Sequence, residues 1–146
     1  MCGDRFVRGR QGSVSDRWTE RLDECLPAHP HSVALLRHAV TGLALDGGAS
    51  QRQCEDIALG VSEAVSNVVR HAYHRNDPTG AVALEATIVD SSLIVVISDD
   101  GRGMSATGGG GALGLGLALI ERVAERCELR VGDPIGVRLR MSFAID

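Results

Sequence analysis

The sequence contains no lysine; all fifteen of its Lys/Arg residues are arginine. That absence excludes a P-loop lysine, a protein-kinase-type phosphate lysine and a Schiff-base lysine, so any phosphate must be handled by backbone amides, arginine or a metal ion. Aromatic residues make up only 3% of the chain, and the core therefore has to be assembled from Val, Leu, Ile and Ala. No apolar run approaches the ~20 residues that span a bilayer, and the N-terminus carries no signal-peptide core. The four cysteines, Cys2, Cys25, Cys54 and Cys127, include no C-x-x-C pair. That removes a zinc site and a thioredoxin-type motif and points to reduced thiols. Nor is there a basic excess: a net charge of −4 argues against a nucleic-acid surface. A soluble, cytoplasmic protein with neither a membrane nor a nucleic-acid partner is expected.

What is present suits one domain: 146 residues, 44% of them hydrophobic, are enough for a single sizeable core. Residues 1–17 are rich in Gly and Arg (Arg5, Arg8, Arg10, Arg17) without periodicity and are expected to form a flexible N-terminal arm, leaving 18–146 as the domain. Trp18–Leu26 reads as an edge strand. Ser32–Leu45 carries apolar residues at helical spacing, with Ser32 as its N-cap. A longer helix runs from Ser50 to about His74, opened by Ser50 with Gln53 in the capping-box position. After the turn at Asn76–Gly80 the period becomes two. Val82, Leu84, Ala86 and Ile88 alternate with polar or small residues, and Leu93–Ser98 is apolar on both faces. A helix follows from about Leu113 to Arg126, then a short strand at Glu128–Val131. The last strand sets Val137, Leu139, Met141, Phe143 and Ile145 against Arg138, Arg140 and Ser142. One-faced alternation and hairpin-length links predict an α+β two-layer sandwich, its sheet mixed or largely antiparallel with helices on one face.

Two residues break the apolar run of the second helix. In LGVSEAVSNVVRHAY, Glu63 and Asn67 interrupt Val61, Ala64, Val65, Val68, Val69 and Ala72. With Asp56, Gly60, Arg70 or His71, and His74 they form a stripe at i, i+4, i+7 spacing, opposite the apolar face. Asn is a poor helix-interior residue, so the stripe is either a plain solvent face or one wall of a site. A second motif, ISDDGRGM, sets Asp99 at the end of the buried strand, followed by Gly101 and Gly103. A carboxylate there can accept from an exocyclic amine, and glycines let the backbone close on a flat ligand; alone, the motif is also an ordinary Asp-Gly turn. The spacing Gly101-x-Gly103-x-x-Ala106 matches the dinucleotide-binding fingerprint too. That fingerprint needs a helix to open at once, whereas Ser105–Gly111 intervenes, and Asp99 and Asp100 would repel a phosphate. The third motif, GGGGALGLGLALIERVAER, joins a glycine run suited to closing over a ligand to a helix start at Gly114–Gly116, whose free N–H groups can hold an anion.

In this order and spacing the three motifs resemble the N, G1 and G2 boxes of the GHKL (Bergerat-fold) ATPase and kinase superfamily. Within it, SEAVSNVVRHAY is similar to the anti-sigma-factor serine kinases, and the resemblance runs from Val33 to Phe143. It implies the Bergerat ATP-binding fold, ATP and Mg2+ as cofactors, Glu63 as general base and Asn67 as the magnesium ligand. It further implies Asp99 as reader of the adenine amine, Gly101 and Gly103 beside the base, Ala106–Ala112 as a lid, and Gly114, Leu115 and Gly116 around the phosphates. The function implied is an ATP-dependent protein serine/threonine kinase that binds a sigma factor, phosphorylates an anti-anti-sigma partner and forms a homodimer. Where many relatives begin the last strand with Gly-Thr, this chain has Gly136-Val137, a lost hydroxyl that bears on catalysis more than on binding. A nucleotide-gated binding module without phosphoryl transfer is the alternative. A histidine-kinase catalytic domain is the third reading; it lacks a helical segment bearing a phospho-accepting histidine, since His29 and His31 flank a proline.

Overall fold

Alternating burial along the strands decides the layering. Among the residues the computed structural model describes (9–11, 19–73, 79–101, 111–132 and 136–145, with 9–11, 19–20 and 111–115 as backbone alone), six strands form one sheet. They are β1 (Gly9–Gln11), β2 (Thr19–Pro27), β3 (Ala81–Val89), β4 (Ser92–Ser98), β5 (Arg126–Val131) and β6 (Val137–Ala144), in the spatial order β1-β2-β3-β4-β6-β5. Every neighbouring pair is antiparallel, the simpler of the two expected arrangements. The register puts Leu84 opposite Ile97 and Ile97 opposite Leu139, so one apolar row crosses three strands. Arg138 and Arg140, one residue out of phase, are exposed on the other face.

Three helices cover the apolar face: α1 (Pro30–Asp46), α2 (Gln51–Asn67) and α3 (Gly111–Val123). Leu36 and Val40 of α1, Ile57, Val61 and Val65 of α2 and Ile120 of α3 are fully buried with Leu84, Leu93, Ile97 and Met141 of the sheet. Aliphatic side chains thus make the core, as the scarcity of aromatics requires. The β3–β4 hairpin closes on two residues, Asp90 and Ser91, both at positive φ (49° and 57°). That is the backbone pattern whose twist matches the flanking strands.

Several boundaries differ from the sequence expectation. Helix α1 begins at Pro30, which suits a first helical position because its missing N–H would have no helical partner. His29 is the cap, its Nδ1 accepting from the His31 N–H at 3.2 Å. Ser32, expected as the cap, lies buried inside the first turn and donates from Oγ to the Pro27 carbonyl at 2.6 Å. Helix α2 does have the expected capping box: Gln53 N–H donates to Ser50 Oγ at 3.2 Å and Ser50 N–H to Gln53 Oε1 at 2.8 Å. Its α-helical part stops at Asn67, however, and a π-helical turn follows over Val68–Ala72; His74 lies outside the described residues. Helix α3 starts at Gly111 and ends at Val123, and Arg126, expected to close it, opens β5 instead. Within the segment expected to be an arm, Gly9–Gln11 pairs with β2, Gly9 facing Arg21. The reduced state expected of all cysteines does not hold at Cys25 on β2, which is disulfide-bonded, whereas Cys54 and Cys127 are free thiols.

Ser50→Ala removes one half of the capping box. It is expected to lower the free energy of unfolding by about 0.5–2 kcal/mol, read as a lower urea midpoint with an unchanged m value.

Candidate functional site

Helix α2 supplies both core and site. Asn67, its last α-helical residue, is only 7% exposed, a carboxamide among aliphatic side chains. Glu63, one turn earlier, is half-buried. Asn67 is shut off from open solvent and Glu63 partly so, because α3 lies alongside: Ile120 anchors that helix in the core, and Gly116, one turn before it, faces the polar pair. A Cβ at Gly116 would stand 3.2 Å from Asn67 Nδ2 and 3.3 Å from Asn67 Oδ1 and Glu63 Oε2. Glycine at this position keeps open the space in front of the two side chains. At Asn67 the stripe is therefore no solvent face. Gly60, assigned to it from spacing, instead packs under the sheet, where a Cβ would come 2.9 Å from Phe143 Cζ.

Asp99 follows directly on β4. Its N–H donates to the Val137 carbonyl at 3.0 Å, and its carboxylate accepts the Gly101 N–H on Oδ1 at 3.0 Å and a further bond from the Val137 N–H. The other oxygen, Oδ2, is buried and has no hydrogen-bond partner among the described residues. Burial pushes the Asp99 carboxyl up to about 6; the Gly101 and Val137 amides oppose the shift and the Asp100 charge adds to it. A buried acceptor without a donor is costly, and in a native site it calls for a donor from an ordered water or a ligand. The cleft it faces has Asn67 as its other polar group and Ile97, Leu117, Leu129, Val137 and Leu139 as apolar walls. It encloses about 20 Å³, the space of a water rather than of a ring, so a flat ligand has to part these walls on entry.

Glycines set the backbone around Asp99. A Cβ on Gly101 would collide with the Ala72 carbonyl oxygen, so this loop rests directly on the π-helical turn. Gly136 sits at φ +87°, and a Cβ there would strike the Asp99 carbonyl. The structure thus brings together Glu63, Asn67, Asp99, Gly101 and Gly116. Gly103 and most of the expected lid, residues 106–110, lie outside the described residues. Gly114 and Leu115 belong to α3, which opens at Gly111; Leu115 and Gly116 therefore lie past its first turn, with their amides inside the helix ladder. The contribution of Gly116 is space, not a free N–H.

Sequence reasoning passed over Tyr73, whose hydroxyl lies 2.6 Å from the Ala81 carbonyl and 2.7 Å from Asp100 Oδ1. Its only sequence signal was an aromatic residue in an aromatic-poor chain. The Val137 backbone contact carries no sequence signal, because every residue but proline offers the same amide and carbonyl.

Residues 26–143 match the family described as the histidine kinase-like ATPase domain. The chain belongs to that family. It is similar to the serine-protein kinase RsbW of Staphylococcus epidermidis, 42% identical over 77 residues that cover 53% of this chain and 48% of that protein. The serine-protein kinase RsbW of Bacillus licheniformis is 36% identical over 75 residues, 51% of this chain and 47% of that one. The chain spans about half the length of these relatives. The RsbU and RsbW domains of Rv1364c from Mycobacterium tuberculosis share the fold, with a TM-score of 0.67 at 19% identity over 86% of this chain and 32% of that one.

The Asp99 shift has a sign that unfolding experiments read. Its folded value, about 6, lies above the ordinary 3.8, so the stabilisation from keeping the proton is fully present below 3.8 and is lost as pH rises through about 6. Asp99→Asn, which never ionises, should gain stability relative to wild type between about pH 4 and pH 6.5, with a constant difference above. A difference independent of pH, measured by urea unfolding, would count against a buried, incompletely paired carboxylate.

Proposed function

We propose that this chain is an ATP-dependent protein serine/threonine kinase of the anti-sigma type. The observation that carries the reading is the unpartnered Oδ2 of Asp99 at the polar corner of an apolar cleft, with Glu63 and Asn67 across from it under Gly116. Adenine fits that corner because its exocyclic amine donates, whereas guanine presents an acceptor there and would leave two acceptors facing each other. The relatives named serine-protein kinase support the same assignment.

Among the described residues no group of three or more His, Cys, Asp or Glu is placed to hold a metal. Asn67 therefore suits a cation that takes most of its shell from phosphate and water, as Mg2+ does. Bound Mg2+ would supply charge neutralisation on the phosphate oxygens. Asn67 orients that end of the ATP through its amide oxygen. Glu63 accepts the proton of a serine or threonine hydroxyl as that oxygen bonds to the γ-phosphorus and the bridging P–O bond breaks, leaving ADP. The apolar walls keep water from competing as the nucleophile. Val137 does not weaken the base-reading corner, because the Asp99 contacts come from its backbone N–H and carbonyl.

Partner choice follows the resemblance: a sigma factor held by the chain, an anti-anti-sigma protein as phosphate acceptor, a homodimer as the working form and the cytoplasm as its location. A nucleotide-gated module without transfer is the competing reading, and the pair on α2 separates the two. Asn67→Ala should weaken Mg–ATP binding and flatten its magnesium dependence. Glu63→Gln should keep nucleotide binding and reduce phosphate transfer by roughly 10²–10⁴-fold, measured with labelled ATP and the acceptor protein. Transfer by Glu63→Gln at the wild-type rate would remove Glu63 as the base. A wild type that holds its partner in an ATP-dependent way and never transfers would establish the module.

A further inference from the structure

Tyr73 is the first residue after the π-helical turn, in extended conformation at φ −126° and ψ 155°. Its ring lies on Gly80, where a Cβ would come 2.8 Å from the ring Cγ, so glycine is what lets the phenol reach the start of β3. The hydroxyl has Ala81 O at 2.6 Å and Asp100 Oδ1 at 2.7 Å, and it accepts the Asp100 N–H at 3.3 Å. A phenol has one proton, so the two oxygen acceptors compete for it. Burial and the bond to the Asp100 carboxylate push the phenol up to about 12, so the proton stays in place at any physiological pH.

This grip lies next to a second one. Gly101 is seated on the Ala72 carbonyl, so two consecutive residues, 72 and 73, hold two consecutive residues, 100 and 101. Asp99 is the next residue back along the chain, and its Oδ1 is bound by the Gly101 N–H. A shift of residues 100 and 101 therefore moves the Asp99 carboxylate with it. Because hydrogen bonds weaken steeply with distance and angle, a displacement of a few tenths of an ångström at Oδ2 is felt by a donor in the cleft. Asp100 itself is exposed, where a polar contact adds little to stability, so its pairing with Tyr73 needs another reason.

We infer that Tyr73 is a positioning residue for base recognition: by fixing Asp100 through its hydroxyl, it presents the free oxygen of Asp99 to the exocyclic amine of the bound purine. The inference rests on the ATP reading of the cleft and adds a determinant of base selectivity beyond Asp99 and the glycines beside it.

The test compares binding of ATP with that of purine riboside triphosphate, which lacks the exocyclic amine, by titration of the full chain. Wild type should prefer ATP roughly tenfold or more, the worth of a charge-assisted hydrogen bond. Tyr73→Phe keeps the ring on Gly80 and removes only the hydroxyl. It should shrink the preference to about threefold or less while affinity for the deaminated analogue stays within about twofold of wild type. Asp100→Ala removes the carboxylate partner but keeps the amide that donates to the hydroxyl; it should shrink the preference in the same direction, and the double variant should lose no more than Tyr73→Phe alone, as residues acting through one contact do. An unchanged preference in Tyr73→Phe overturns the inference. Equal weakening of both nucleotides also overturns it, because that is what a merely structural role gives. If Tyr73→Phe does not fold, Asp100→Ala decides by the same two criteria. A wild type that fails to distinguish the two nucleotides removes the Asp99 reading, and the inference with it; that outcome is told apart because it appears before any substitution at Tyr73 or Asp100.

Discussion

A carboxylate oxygen held in the interior without a donor is the constraint on which the site depends. Asp99 is fixed at one oxygen by the Gly101 amide, and the Val137 amide donates to its carboxylate as well, while Oδ2 is left facing the cleft. Unpaired buried acceptors are rare because they lose water without gaining a partner. The surrounding structure has to impose this one. It does so through the β4–β6 pairing, which carries on from Ser98 opposite Arg138 into the Asp99 and Val137 contacts, and through Gly136, whose positive φ lets the backbone turn beside Asp99. The sheet is thus more than a platform. Its last rung delivers a strained group to the place where a ligand can relieve the strain.

Helix α2 meets a different demand, since a single helix has to be apolar enough to hold the core and polar enough to meet a nucleotide. The conflict is resolved by α3. Laid beside α2 with glycine at 116, it turns what would be a solvent face into a narrow polar wall containing Glu63 and Asn67. The π-helical turn after Asn67 then brings the Ala72 carbonyl and the Tyr73 ring against residues 100 and 101. Wide turns of this kind recur at functional sites because an extra residue re-aims the side chains that follow. Polar pair, Asp99 and loop root are in this way tied into one mechanical unit.

The motifs in isolation each had an unremarkable reading: a solvent stripe, an Asp-Gly turn, a glycine linker. Geometry bears on the first two. A solvent stripe would not contain an Asn that is 7% exposed, and an ordinary turn would not leave a carboxylate oxygen buried and unpaired.

Local periodicity determined the layers of the fold. Alternation in β3 and β6, the unbroken apolar run of β4 and the capping box at Ser50 are short-range properties, and each was present in the sequence before any contact was known. Asn67 stood out for a similar reason: a carboxamide inside an apolar helical run violates the local pattern, and a violation is visible without coordinates. What only the tertiary structure decided depends on residues far apart in the chain. Tyr73 and Asp100 are 27 positions apart, and the Val137 contact is made by backbone atoms that every residue but proline has. The start of α1 moved to Pro30, and the amides of Leu115 and Gly116 moved inside α3, because helix ends are set by which backbone groups find partners. Residue types show where chemistry is possible; only packing across the sheet and between α2 and α3 leaves one oxygen of Asp99 unpaired and gives a ligand its reason to bind.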